Sequence, residues 1–145
     1  MIGVLILPLI FALSPLLSFA DHQFAVTTFA VGVLLMLLSL WLFYRSHSDL
    51  GSNWSVSLEI RDTHSLVTTG VYKYIRHPMY TSLYLYAFAQ FFLLPNWIAG
   101  SADIVSFTVL YLFRIGREER LMEEAFGDGY REYILKTKRL IPYLY

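Results

Sequence analysis

The residues best suited to chemistry stand at Arg76, His77, Pro78 and Tyr80, where a cation, an imidazole and a phenol meet the mouth of a long apolar run. After Arg76 no formally charged side chain occurs until Asp103. Proline has no amide proton and is tolerated in the first turn of a helix, so Arg-His-Pro reads as the entrance to a helix beginning near Pro78. Arg76 and His77 then sit at the positive end of that helix, at headgroup depth, where anions and small polar ligands are readily held. Taken alone, the same stretch also suits an interfacial anchor, with Tyr72, Tyr74 and Tyr80 in an aromatic belt.

A second group of candidates follows in the tail, where Arg117, Glu118 and Glu119 precede Phe126, Gly127, Tyr130 and Tyr133. Leu121, Met122, Ala125 and Phe126 recur at helical spacing, and Tyr130, Tyr133 and Ile134 do so beyond the glycines. Two amphipathic helices hinged at Gly127 and Gly129 are expected. Glu118 and Glu119 point about 100° apart on a helix, so one of the two is expected to face any shared pocket. Ordinary surface pairing accounts equally well for charges such as Arg114 with Glu118 and Arg120 with Glu124, at a few tenths of a kcal/mol each.

The elements that must position these groups are apolar. With 145 residues, 57% of them hydrophobic and 15% charged, the chain lies outside soluble composition and reads as a membrane protein. Its formal net charge is zero, which gives nucleic acid no basic surface to bind. Cysteine is absent, which excludes disulfides, thiolate metal sites and a cysteine nucleophile. The histidines His22, His47, His64 and His77 show no paired spacing, so no metal centre is expected.

Residues 2 to 20 are uncharged and long enough to span a bilayer core of roughly 30 Å, with kinks at Pro8 and Pro15. A retained helix is preferred here to a cleaved signal peptide, because no basic n-region precedes it. Residues 24 to 44 form a second run, and the link Asp21-His22-Gln23 makes the pair a hairpin. A polar segment from Arg45 to His77 follows; in it Asp62 or Thr63 can cap a turn, Trp54 suits an interface, and Thr68-Thr69-Gly70 breaks the chain. Met79 to Leu94 and Trp97 to Phe113 are short apolar runs joined at Pro95-Asn96, and reach only about 24 to 26 Å as helices. Asp103 lies in the last run, close enough to that turn to be expected to reach water. All 11 Lys and Arg lie at Arg45 or beyond, in the middle loop or the tail. The positive-inside rule therefore places that loop, both termini and the candidate site in the cytoplasm, an arrangement satisfied by four spans.

The expected fold is all-α: about four transmembrane helices and a cytoplasmic C-terminal helical tail that completes a cofactor pocket. Residues 1–145 are read as a single domain, with an N-terminal helical hairpin over 1–45 and the binding and catalytic part over 46–145.

Arg76-His77-Pro78-Met79-Tyr80, and Glu118 and Glu119 with Phe126, Gly127, Tyr130 and Tyr133, closed by Arg139-Leu140-Ile141-Pro142, together resemble the isoprenylcysteine carboxyl methyltransferase and phospholipid methyltransferase superfamily. Each motif alone is weak; the two in this order, flanking an apolar hairpin, are specific. The resemblance covers about residues 50 to 142, including Asn53-Trp54-Ser55 and the stretch from His64 to Gly70. It implies S-adenosylmethionine as methyl donor. His77, Pro78 and Tyr80 would line the donor pocket, Glu118 and Glu119 would complete it, and Tyr130 and Tyr133 would wall it. Many members carry glycine where this chain has Ser82, which puts helix packing or substrate shape there in question.

The residue types suit such a donor. Tyr80, Tyr130 and Tyr133 offer aromatic faces to an adenine and a sulfonium, Glu118 or Glu119 an acceptor for a ribose diol, and Arg76, His77 or Arg117 a cation for a carboxylate. Methyl transfer is an in-line displacement in which charge is lost, so a dry, aligning pocket supplies much of the acceleration. An acceptor that is already a carboxylate needs no base; for an amine, Glu119 or His77 is the candidate. Arg76, His77 and Glu119 are thus the catalytic candidates, and the partners expected are membrane lipids and a lipophilic or lipid-linked substrate. No Gly-x-Gly-x-x-Gly occurs, so the soluble dinucleotide-binding type of methyltransferase is not supported. The alternatives are a membrane sterol-type reductase using a nicotinamide cofactor, whose phosphate would need several of Arg114, Arg117, Arg120, Lys138 and Arg139, or a non-catalytic membrane scaffold. Nothing in the sequence separates a prenylated cysteine carboxylate from a phospholipid amine.

Overall fold

The computed structural model describes residues 2–23, 25–51 and 65–144. Trp54, with the cap expected at Asp62 or Thr63 and the matches at Asn53, Ser55 and His64, lies outside the described residues. Regular structure among the described residues is helical, apart from two isolated β-bridges. The chain opens with a π-type turn over Ile2–Ile6, α1 over Leu7–Leu13 and a 3₁₀ helix over Pro15–Ala20. Next come α2 (Val26–Leu50), a 3₁₀ turn at Gly70–Lys73, α3 (Pro78–Leu93) and α4 (Trp97–Lys136). Two helices, α2 and α4, are long and apolar enough to cross a membrane.

Three expectations change. The first apolar run is not one kinked helix: Ser14 is extended (φ −149°, ψ 154°), and the chain restarts as a tighter helix at Pro15. A residue before proline is pushed out of the helical region, so the break falls one residue ahead of the ring. The last apolar run does end at Phe113, but its helix does not; α4 continues unbroken through the charged stretch to Gly127, whose φ of 52° and ψ of −126° kink it. No proline or glycine pair stands between Phe113 and Gly127 to stop it, and only glycine adopts that conformation without strain. Asp103 does not reach water, being 4% exposed. The amino-terminal segment covers this part of α4 so closely that a Cβ on Gly3 would stand 2.3 Å from the Ala102 carbonyl oxygen.

The chain divides into two compact units, residues 1–40 with 82–111 and residues 41–81 with 112–145. The first packs apolar helices and meets its polar needs locally. Gly32 lets α2 approach α3, since a Cβ there would stand 2.8 Å from Leu93 Cγ. Ser39 Oγ donates to the Ser82 carbonyl at 2.7 Å, so Ser82 lies fully buried beneath a helix-helix hydrogen bond. Asn96 caps α4: its Oδ1 accepts from the amides of Ile98 and Ala99, while its Nδ2 donates to the Leu17 carbonyl and to Asp21 Oδ1.

The second unit is built on long-range backbone pairing. Val71 N donates to Asp49 Oδ2 at 2.8 Å, so an aspartate from α2 caps the 3₁₀ turn at Gly70–Lys73. Gly70 has φ 60°, and a Cβ there would stand 2.1 Å from that same oxygen. Ile75 pairs with Lys138 in a parallel bridge, Arg76 N donates to the Lys138 carbonyl at 2.7 Å, and His77 N donates to that of Arg139 at 3.0 Å. Tyr133 Oη donates to the Tyr72 carbonyl, and Tyr72 Oη to that of Ser46.

Candidate active site

The pairing of residues 75–77 with 138–139 and the turn of α4 that carries Glu118 and Glu119 place the two sequence motifs together inside the second unit. Pro78 is fully buried and opens α3, as its missing amide suggests. Arg76 lies just ahead of it. Its Nε and Nη2 donate to Glu119 Oε1 at 3.2 and 3.1 Å, and its Nη1 donates to the carbonyls of Ile134, at 3.4 Å, and Thr137. With a side chain 7% exposed, this arginine is spent on holding the tail and the carboxylate in place.

Glu119 receives a second arginine. Arg139 Nε lies 3.1 and 3.0 Å from the two carboxylate oxygens and its Nη2 donates to Oε2 at 2.6 Å, a fork matched to a carboxylate. His77 Nε2 stands 3.4 Å from Oε1 but completes no well-directed hydrogen bond among the described residues. Burial pushes the Glu119 carboxyl up; the contacts of His77, Arg139 and Arg76 outweigh it and hold the group well below the ordinary carboxylate range. A carboxylate so strongly held is a poor proton acceptor, which argues against Glu119 as a base.

Glu118 belongs to a neighbouring cluster. Tyr80 Oη donates to its Oε1 at 2.5 Å, and Arg114 Nη2 lies 3.0 Å from the same oxygen, the i,i+4 pair legible in the sequence. Both glutamates are therefore engaged on the inner side of α4, where one alone was expected. The 100° between them separates two clusters instead of sending one side chain to solvent. Arg117 is exposed on another face and is not among the groups that close on either carboxylate.

Tyr130 and Tyr133 are both buried, with ring centroids 6.1 Å apart. The Tyr130 hydroxyl has no hydrogen-bond partner among the described residues, and burial together with the charge of Glu119 pushes its pKa up to about 12. His77 and Tyr80 lie with ring centroids 5.7 Å apart. Sequence reasoning missed Arg139 as a site residue. Its signal was the closing Arg-Leu-Ile-Pro, read there as a motif ending, with the side chain weighed only as one of several tail cations.

Apolar helices with exposed side chains such as Leu37, Val105 and Phe113, and within the second unit a cluster of arginines, carboxylates and buried phenols, fit an all-helical membrane protein with a polar site. The chain belongs to the isoprenylcysteine carboxyl methyltransferase family, whose model matches residues 30–124. It is 36% identical over 79 residues to the protein-S-isoprenylcysteine O-methyltransferase of Schizosaccharomyces pombe, covering 54% of this chain and 34% of that one. Against that of Homo sapiens it is 30% identical over 115 residues, 78% of this chain and 40% of the human protein. A solved structure of the eukaryotic intramembrane Ras methyltransferase matches with a TM-score of 0.72 at 27% identity, over 80% of this chain and 42% of that one. The chain thus spans well under half the length of these relatives.

Proposed function

We propose that this chain transfers a methyl group from S-adenosylmethionine to a lipophilic or lipid-linked acceptor at the cytoplasmic membrane face, with an isoprenylcysteine carboxylate as the acceptor closest to its family. The observation that carries this reading is that His77 Nε2 and the Tyr130 hydroxyl, both buried beside the Arg76–Glu119–Arg139 cluster, make no well-directed hydrogen bond among the described residues. Buried polar groups are normally hydrogen-bonded, so orphans that share a charged cluster suit a polar ligand. The donor set fits: His77 and Tyr130 can bond a polar head, Tyr80, Tyr130 and Tyr133 supply aromatic walls, and Glu118 Oε2 is the acceptor for a ribose hydroxyl. When bound, the cofactor supplies an electrophilic methyl on a sulfonium.

The protein's part is positioning. Arg76 and Arg139 keep Glu119 ionised and fixed, which holds His77 against α4. The tail segment over 138–140, bonded to residues 76, 77 and 81, holds these groups in register. A carboxylate acceptor arrives already nucleophilic, so no proton need be removed; the depressed Glu119 is consistent with that demand. The chain crosses the membrane four times, through residues 2–20, α2, α3 and the apolar half of α4, and its basic middle loop and tail lie in the cytoplasm.

Calorimetry of S-adenosylmethionine with the detergent-purified protein tests the reading. Saturable micromolar binding is expected, lost in His77→Ala and weakened at least about tenfold in Glu119→Gln, the equivalent of about 1.4 kcal/mol. No binding by folded wild-type protein would overturn it.

A further inference from the structure

The end of the chain carries a surface that the site does not use. No acidic side chain follows Glu132, and Lys136, Lys138 and Arg139 lead into Leu140-Ile141-Pro142-Tyr143-Leu144. Arg139 is turned onto Glu119 and Lys136 lies 3.5 Å from Glu132, while Lys138 is exposed. Ile141, Tyr143 and Leu144 are 50%, 87% and 78% exposed, although they lie beyond the apolar helices. Leu144 N donates to the Ile141 carbonyl at 3.2 Å, and Tyr143 takes φ 68°. This tight turn leaves three apolar side chains turned outward.

Its level in the second unit is fixed by backbone. Thr81 Oγ1, one turn into α3, donates to the Leu140 carbonyl at 2.8 Å, and the amides of Arg76 and His77 hold residues 138 and 139. The turn therefore starts beside the first turn of α3, where the charged sequence gives way to the uncharged run. We infer that Ile141, Tyr143 and Leu144 insert into the headgroup–acyl boundary of the bilayer, with Lys138 over anionic headgroups. An amphipathic phenol flanked by aliphatic side chains and a lysine is the composition that such a boundary selects, and the exposed Lys138 complements an anionic leaflet.

Because the chain has no cysteine, single nitroxide labels can be placed at Tyr143→Cys, Leu144→Cys and the exposed control Asp128→Cys in the protein reconstituted in phosphatidylcholine vesicles with or without phosphatidylglycerol. At positions 143 and 144, collisions with oxygen should exceed those with a water-soluble nickel complex, and at 128 the order should reverse. Phosphatidylglycerol should raise the oxygen-to-nickel ratio at 143 by roughly twofold, a rise that Lys138→Gln removes. Ratios at 143 and 144 equal to that at 128 would place the turn in water and overturn the inference. Suppression of both collisions would do so too, by showing the turn covered by protein such as a second copy. A ratio at 143 that ignores phosphatidylglycerol would overturn the role given to Lys138.

Discussion

The two units handle buried polarity in opposite ways. In residues 1–40 with 82–111, each buried polar side chain with a recorded hydrogen bond serves the backbone or a neighbour: Ser39 bonds a carbonyl, Gln90 bonds those of Gly3 and Ala99, and Asn96 caps a helix while tying down Leu17 and Asp21. In residues 41–81 with 112–144, ion pairs are drawn inside: Arg76 and Glu119, with the half-buried Arg139, form a cluster that ordinary packing would not require, and two buried polar atoms beside it make no well-directed hydrogen bond among the described residues, whereas the first unit's buried carboxyl, Asp103, joins no such cluster. A buried ion cluster is weak evidence of stability, since apolar residues of similar volume often serve as well. Among the described residues such a cluster is recorded in the second unit, and on the function proposed here that unit holds the site while the first serves as scaffold.

Breaking the cluster should have the largest effect. Arg76→Ala leaves Glu119 short of a partner and frees the Ile134 and Thr137 carbonyls, for a stability loss of about 3 kcal/mol and loss of donor binding, read by thermal unfolding in detergent and by calorimetry. Gly70→Ala comes next. It combines a positive φ with a Cβ driven into Asp49, and should cost about 2 kcal/mol while lowering donor affinity, because the turn leading to Arg76 shifts. Asp49→Ala, which removes the cap to Val71 N without introducing a clash, should cost less, about 1 kcal/mol.

On the scaffold side, Asn96→Ala should lower stability by about 1 to 2 kcal/mol and leave donor affinity unchanged. If affinity fell together with stability, the division between scaffold and site would fail. The smallest effect is on acid stability. The folded Glu119 carboxyl is held below its unfolded value of about 4.3, so its contribution is complete above that pH and declines as pH falls through the depressed value. Melting of the wild type should therefore weaken below about pH 4, and Glu119→Gln should remove that part of the slope.

Much of this was legible from local rules. Pro78 announced the start of α3, Gly127 the kink in α4, and the two motifs named residues that the fold brings together. What escaped was set by distance along the chain. The bridge between Ile75 and Lys138 spans residues with no shared periodicity, and it turns Arg139 from a motif ending into the second arm of the Glu119 clamp. The continuity of α4 past Phe113 was hidden because the change from apolar to charged sequence resembles a helix end, although no residue there stops one. Asp103 was misjudged because sequence shows its nearness to a turn and not the segment that packs over it.

The most direct test of the central claim is transfer of labelled methyl from S-adenosylmethionine by the reconstituted protein, supplied in turn with a prenylated cysteine and with phospholipid alone. The account predicts base-labile methyl ester on the prenylated cysteine, reduced at least about a hundredfold by His77→Ala in a protein that still melts cooperatively. Absence of label from every extractable acceptor, with folded wild-type protein and saturating donor, would contradict it.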